Sequence, residues 1–224
     1  MTARGDQTRD ALIDAAEQLW AERGIESVSV REINAQAGQR NNNSLHYHFG
    51  GRAALFAALA ERHLAVLNER SEKLWAEVRA APTVSVRDQV SVLVRPTAEY
   101  IGDGPSARAW LRIAARLLGS PLQTNEQTRE VVSSAVIEVG TALVERVAID
   151  LGWDAAVDRV RMASDAVLHV IGDRARLEDA GDAARPRMPL PVFVELVIDM
   201  TTSAITAPPS DPLLRVLASV RHPS

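Results

Sequence analysis

Apolar residues return every three or four positions through nearly the whole chain, and no stretch alternates β-branched and polar residues for long enough to make a strand. That spacing predicts an all-α fold. In Thr8 to Arg23 it places Ala11, Leu12, Ala15, Ala16, Leu19 and Trp20 on one stripe, and Gly24 stands where a left-handed C-cap belongs. Ser29 is expected to cap a short helix from Val30 to Ala37, with Glu32 answering at the third helical position as a capping box, and Gly38 ends it. A third short helix is predicted over Asn41 to Tyr47, with Leu45 and the tyrosine ring as its only strongly apolar members. Long helices follow over Arg52 to Arg79, Val86 to Ile101, Ser106 to Leu118, Asn125 to Leu151, Asp154 to Glu178 and Pro191 to Ile205. The breaks fall at Pro82, Gly102 to Pro105, Gly119 to Pro121, Gly152 and Pro208 with Pro209, and the run 181–191, GDAARPRMPLP, is read as a mobile loop. Three short helices followed only by long ones put a domain boundary near residue 52, giving 1–52 and 53–224.

A chain of 224 residues that is 46% hydrophobic can bury a substantial core. It has no cysteine, which leaves no disulfide framework or thiolate metal site and fits a reducing compartment. Its first fifteen residues mix charges of both signs instead of forming a secretory signal, and no apolar run reaches the roughly 18 to 20 residues of a membrane span. The expected location is the cytoplasm, with no membrane partner.

Residues 39–52, QRNNNSLHYHFGGR, contain no acid in a chain of net charge -4. From Met1 to Arg52 there are six arginines and seven acids, but none of those acids lies beyond position 32. A capped short helix, a glycine turn and a second exposed short helix make the helix-turn-helix pattern, whose second helix enters the major groove. Such a helix needs side chains that bond base edges and no acid facing phosphates. Asparagine can bond adenine and arginine guanine, each bidentately, while serine and tyrosine can bond phosphate oxygens. The N-terminus of the helix capped by Ser29 also presents donors to a phosphate. Asn41 to Asn43 would make an ordinary turn in isolation, because asparagine tolerates left-handed conformations and bonds its own backbone. His46 and His48 form an HxH pair, but this stretch supplies too few ligands for a metal, and none is expected. Trp20, Phe49 and Phe56 fall at positions expected to be core.

The stretch TRDALIDAAEQLWAERGIESVSVREINAQAG followed by LHYHFGGRAALFAAL resembles the N-terminal signature of the TetR family of transcriptional regulators. The shared features are the alanine-rich first helix ending in Glu-Arg-Gly, the Ser-Val-Arg-Glu-Ile opening of the second helix, and the Tyr-His-Phe exit into the fourth. They cover roughly residues 8 to 59, about a quarter of the chain. The resemblance implies that the third helix reads the operator, that Tyr47 and His48 lie near the DNA backbone, and that Arg52 takes the phosphate-contacting position usually held by lysine. The expected DNA-binding residues are Ser29, Arg31, Gln39, Arg40, Asn41, Asn42, Asn43, Ser44, His46, Tyr47, His48 and Arg52. Three departures stand out. Gly38 to Phe49 is one residue longer than the commonest pattern, Asn34 replaces a usual alanine, and Ala53 replaces a usual glutamate.

In the larger part, Trp75, Tyr100, Trp110, Trp153, Met162 and His169 sit on predicted helices and are expected to pack the core. The resemblance implies a small effector in this region, with Trp75, Tyr100, Trp110, Arg112, Arg116 and His169 as candidate pocket residues. Arg112 and Arg116 lie one turn apart, either on a salt-bridged face or as anchors for an anionic effector. The family also implies a homodimer through the last two long helices, matching a palindromic operator. The function expected is a ligand-responsive regulator, a repressor that needs no cofactor. An enzyme is the rival, but the chain lacks the HExxH, GxSxG and P-loop patterns and its five histidines are scattered. A second rival is a helical binding module that has lost DNA.

Overall fold

The computed structural model describes residues 3–41, 43–117, 133–181 and 187–221, and every regular element among them is helical. In chain order the α-helices are α1 (Ala3–Arg23), α2 (Val30–Gln36), α3 (Ser44–Phe49), α4 (Arg52–Arg79), α5 (Val86–Glu99), α6 (Pro105–Arg116), α7 (Ser134–Leu151), α8 (Trp153–Asp179), α9 (Leu190–Thr206) and α10 (Asp211–Arg221). Short 3-10 turns occupy Ile25–Ser27 and Tyr100–Asp103.

The chain divides into two compact units. The first contains residues 1–69, 100–132 and 168–186, and the second residues 70–99, 133–167 and 187–224.

In the first unit, Leu12, Ala16 and Trp20 of α1 and Leu55, Leu59 and Ala60 of α4 are fully buried, together with Ile33 and Leu45 from the two short helices. Gly24, at φ 86, ends α1 and donates its N–H to the Trp20 carbonyl at 2.8 Å. The predicted capping box is present: the Glu32 N–H donates to Ser29 Oγ at 3.2 Å and the Ser29 N–H donates to Glu32 Oε2 at 2.8 Å. Gly38, at φ 69, turns the chain out of α2.

α3 begins at Ser44, later than the predicted Asn41, because Asn41 uses its side chain on the backbone. Its Oδ1 accepts the Asn43 N–H at 2.9 Å, and its carbonyl accepts the Ser44 N–H at 3.1 Å. Asn43, the N-cap, makes no side-chain cap bond. The missing acceptor comes from α2, where the fully buried Asn34 takes the Leu45 N–H on Oδ1 at 3.1 Å. Asn42 lies outside the described residues, as do 182–186 of the run read as a loop, the Gly119 to Pro121 break and the predicted helix start at Asn125.

The second unit packs α5 against α7 and α9. Arg87 donates to Asp199 at 2.9 Å and to Glu195 at 2.6 Å, and Arg95 donates to Glu195 at 2.6 Å. Both arginines hold the Glu195 carboxyl below its ordinary range, Arg95 first. Glu72 accepts the Ala135 N–H at 3.0 Å and the Ser134 hydroxyl at 2.9 Å, so the start of α7 is capped from α4, and these bonds lower the Glu72 carboxyl likewise.

Three residues expected in the core are not there. Trp153 is 56% and Met162 63% exposed, and His169 is exposed. The buried stripe of α8 runs through Ala156, Val160, Ala163, Val167, Ile171 and Ala175, small and β-branched residues that Met162 and His169 lie beside, while Trp153 opens the helix at its first residue. The helix α10 was also not foreseen. It follows Pro208 and Pro209, and its large apolar residues Leu213, Leu214, Val216 and Val220 are exposed, so no core pattern marked it.

Asn34→Ala removes the buried side-chain acceptor of the Leu45 N–H at the start of α3 and leaves that N–H without it. The expected cost is about 1–3 kcal/mol of stability, read by denaturant unfolding, with faster amide exchange confined first to α2 and α3. Unchanged stability would mean that the bond contributes nothing net.

Candidate nucleic-acid interface

The surface predicted from 39–52 is built by short elements, α2 held by its capping box and α3 by the buried Asn34. On α3, Ser44, Leu45 and Phe49 face inward, while His46 and Tyr47 face out, Tyr47 at 85% exposure. The Tyr47 ring meets His48 edge-on with centroids 5.0 Å apart, and His46 Nδ1 lies 3.2 Å from the Gly50 carbonyl oxygen. Gly50, at φ 74, closes the helix in the left-handed region. Arg9 of α1 stacks over the Phe49 ring at 4.6 Å, fastening the end of α3 to the first helix.

Arg40, Asn41 and Asn43 lie on the turn before α3, all exposed, and Arg31 projects from α2. Arg31 and Arg40 make no hydrogen bond or ion pair with the described residues. Gln39 donates from Nε2 to the Ala37 carbonyl at 3.1 Å. Gln7, Thr8, Gly38, Gln39, Arg40 and Asn41 line an open hollow of about 570 Å³, which has donors, acceptors and one guanidinium on its walls and no carboxylate.

Two of the predicted contacts sit differently from the rest. Ser29 is committed to the capping box, its hydroxyl donating to Glu32 Oε2 at 2.7 Å, and the Glu32 carboxylate thereby covers the start of α2. Arg52 turns inward, donating to the Ile25 carbonyl at 3.1 Å and the Val28 carbonyl at 2.6 Å. It thus clamps the 3-10 turn that precedes α2 and holds the entry of α4 to it.

Of the six residues named for an effector pocket, five belong to the first unit and Trp75 to the second. In the first unit, Tyr100 and Trp110 enclose His63, with the hydroxyl 2.8 Å from Nδ1 and the Trp110 ring stacked at 5.1 Å. Arg112 pairs with Asp179 at 3.2 Å, and Arg116 donates to the Ala21 carbonyl at 2.9 Å. Arg116 also borders a cavity of about 220 Å³ with Trp20, Ile25, Ile113 and Leu117. His169 is on the exposed side of α8. Trp75 belongs to the second unit and donates its indole N–H to Glu138 at 2.9 Å. The described residues contain no group of three or more His, Cys, Asp or Glu side chains able to hold a metal ion, and no single helix long and apolar enough to cross a membrane.

Sequence reasoning missed Asn34, the buried acceptor that holds α3. Its one visible signal was an asparagine at a position where the family usually has alanine.

The Glu32 carboxyl is lowered from 4.5 to about 2, first by the Ser29 hydroxyl, then by the Ser29 N–H and by Arg23, which pairs with it at 2.7 Å. A carboxyl depressed in the folded state adds stability that is complete above its unfolded value and disappears as pH falls through the folded value. Glu32→Gln should therefore remove part of the acid dependence of unfolding between about pH 4.5 and 2 and leave the slope above pH 5 unchanged. Identical acid profiles for the two proteins would contradict this.

Residues 12–59 match the family described as bacterial regulatory proteins, tetR family. The HTH-type transcriptional repressor AcnR of Corynebacterium efficiens is 26% identical over 229 residues, covering 99% of this chain and 98% of its own length. An uncharacterized HTH-type transcriptional regulator of Mycobacterium tuberculosis is 24% identical over 136 residues, 60% of this chain, and the chain spans 63% of that relative's length. Among solved structures, the transcriptional regulator FadR from Bacillus subtilis, in complex with stearoyl-CoA, is similar with a TM-score of 0.53 at 15% identity, covering 87% of this chain and 98% of that one. A TetR-like transcriptional regulator from Rhodococcus sp. RHA1 is similar with a TM-score of 0.51 at 17% identity, covering 88% of this chain and 93% of that one. These structural likenesses show a shared helical fold. Residues 12–59, whose short helices and turn are those described above, are the part of this chain that carries the N-terminal region of the TetR family of bacterial regulatory proteins.

Proposed function

We propose that this protein is a transcriptional repressor that binds a palindromic operator as a homodimer and releases it when a small effector binds. Residues 1–52 serve as the reading head, and the helices of 53–224 serve effector binding and dimerisation. The observation that carries the reading is the acid-free outer surface of residues 39–48, where Arg40, Asn41, Asn43, His46 and Tyr47 are exposed on a turn and helix held rigid from beneath. Such a surface can approach phosphates without repulsion and offers both bidentate and single hydrogen-bonding groups to base edges. Arg31 and the hollow beside Arg40 add a second line of contact along the backbone. Arg52 contributes by holding the head in shape, since both its terminal nitrogens already serve main-chain carbonyls.

Dimerisation is supported by α9, where Val192, Leu196 and Met200 recur every fourth residue and are all exposed. A repressor role is supported by the names of AcnR and of NicS, the HTH-type transcriptional repressor of Pseudomonas putida. Effector binding is supported by the stearoyl-CoA held by FadR. An effector reaching Trp75, Tyr100, Trp110 or Arg112 must exchange their present contacts for its own. It shifts the head only as far as it prefers the rearranged state.

Fluorescence anisotropy with a labelled duplex of random sequence tests the DNA-binding step. Affinity should fall linearly on a log–log plot as salt rises. Arg40→Ala and Arg52→Ala should each weaken binding by about 1–3 kcal/mol, with Arg52→Ala acting alike on all sequences. Binding that both substitutions leave unchanged would put the surface elsewhere, and no binding even at low salt would favour a module that has lost DNA.

A further inference from the structure

We infer that α6 is a strut that fixes the position of α1 against the C-terminal part of α8, so that Asp179, Gly172, Ser106 and Glu17 are positioning residues for the reading head. This deepens the proposed DNA-binding role and rests on it. An α-helix advances about 100° per residue, so Ser106, Trp110 and Ile113 share one side of α6, and Arg108, Leu111, Arg112 and Ala115 the opposite side. The contacts follow that division.

On the first side, Ser106 donates to Glu17 of α1, with its Oγ 2.8 Å from Oε2 and 3.0 Å from Oε1. The same Oε1 accepts from His63 Nε2 at 2.6 Å, and His63 is 1% exposed. Trp110 stacks on His63 in parallel, 5.1 Å away, and on Phe56, which in turn meets Trp20 of α1 at 6.2 Å. At the far end, Arg116 donates to the Ala21 carbonyl, one of the carbonyls that the end of α1 leaves unpaired. α1 is thus tied to α6 at two heights, once through a buried carboxylate and once at its C-terminus.

On the opposite side, Asp179 of α8 receives Arg108 Nε at 2.5 Å and lies 3.2 Å from Arg112 Nη1. About two turns earlier in α8, Gly172 lets the two helices touch. A Cβ at this position would lie 2.5 Å from the Ala115 Cβ and 3.2 Å from the Leu111 carbonyl oxygen. The contact on that side is therefore set by backbone and β-carbon, which cannot rotate away. Interiors packed this closely transmit a displacement instead of absorbing it. Moving α6 relative to α1 must break the Ser106 hydrogen bonds to the buried Glu17 carboxylate and pull Trp110 from the His63 and Phe56 rings it stacks on, so the motion that costs less carries α1 along.

The test uses the full-length protein and hydrogen exchange of α1 amides, a readout that needs no DNA, together with binding to the duplex that wild type enriches from a random pool. Gly172→Ala should drive α6 away from α8 and speed exchange in α1 on the order of tenfold, and Ala115→Gly in the same chain should restore it by removing the atom in conflict. Asp179→Asn loosens the same side without a clash and should act in the same direction, which covers the case in which Gly172→Ala does not fold. In a Glu17→Gln background, Asp179→Asn should alter α6 but leave α1 exchange unaffected. Folded Gly172→Ala or Asp179→Asn protein with altered exchange in α6 and α8 but unaltered exchange in α1 would overturn the strut. If exchange follows the expectation and no duplex is bound even by wild type, the strut stands and the DNA-binding reading fails.

Discussion

A six-residue helix cannot hold its own shape. Most of its backbone donors have no partner within the helix, and forming so short a segment in water is unfavourable. Everything proposed for the exposed side chains of α3 depends on neighbours supplying what α3 lacks. Asn34 supplies an acceptor from inside the unit, Leu45 and Phe49 supply burial, Arg9 covers Phe49, and Gly50 allows the left-handed exit. The outer face is left with only local contacts, His46 to the Gly50 carbonyl and Tyr47 to His48, and this is why those side chains can be polar, large and exposed there.

The same logic repeats one layer deeper. Arg52 answers two carbonyls of the turn before α2, and Arg116 answers one at the end of α1. Glu17 gathers the buried His63 and the Ser106 hydroxyl at one carboxylate. Each is a charged or polar group spent inside the unit on joining helices, and each leaves the exposed turn with fewer internal obligations. A carboxylate in such a place is costly to strand, so the geometry around it is more sharply defined than apolar packing alone would make it.

Much of this was legible in the sequence because it is local. The capping box at Ser29 and Glu32 needs only residues three apart, and α4 runs over Arg52 to Arg79 as its stripe predicts. What was not legible is non-local or depends on competition. The start of α3 turns on whether Asn41 bonds its own backbone or joins the helix, and periodicity does not decide that. His63 read as one inner residue among leucines, since its partner Glu17 is 46 positions away. The pairing of Arg112 with Asp179 was one of two open readings of an arginine beside apolar residues. Met162 looked like core because size suggests burial, but the stripe that is actually covered in α8 is made of smaller residues.

The most direct test of the central claim, that the turn and outer face of α3 read DNA, is selection of duplexes from a random pool by the purified protein, sequenced after binding at two salt concentrations. The account predicts an enriched inverted repeat whose half-sites lie about one helical turn apart or a multiple of it, with Arg40→Ala relaxing one position in each half. Folded protein that enriches no sequence at either salt, or enriches one that Arg40→Ala and changes at Asn41 and Asn43 leave untouched, would contradict it.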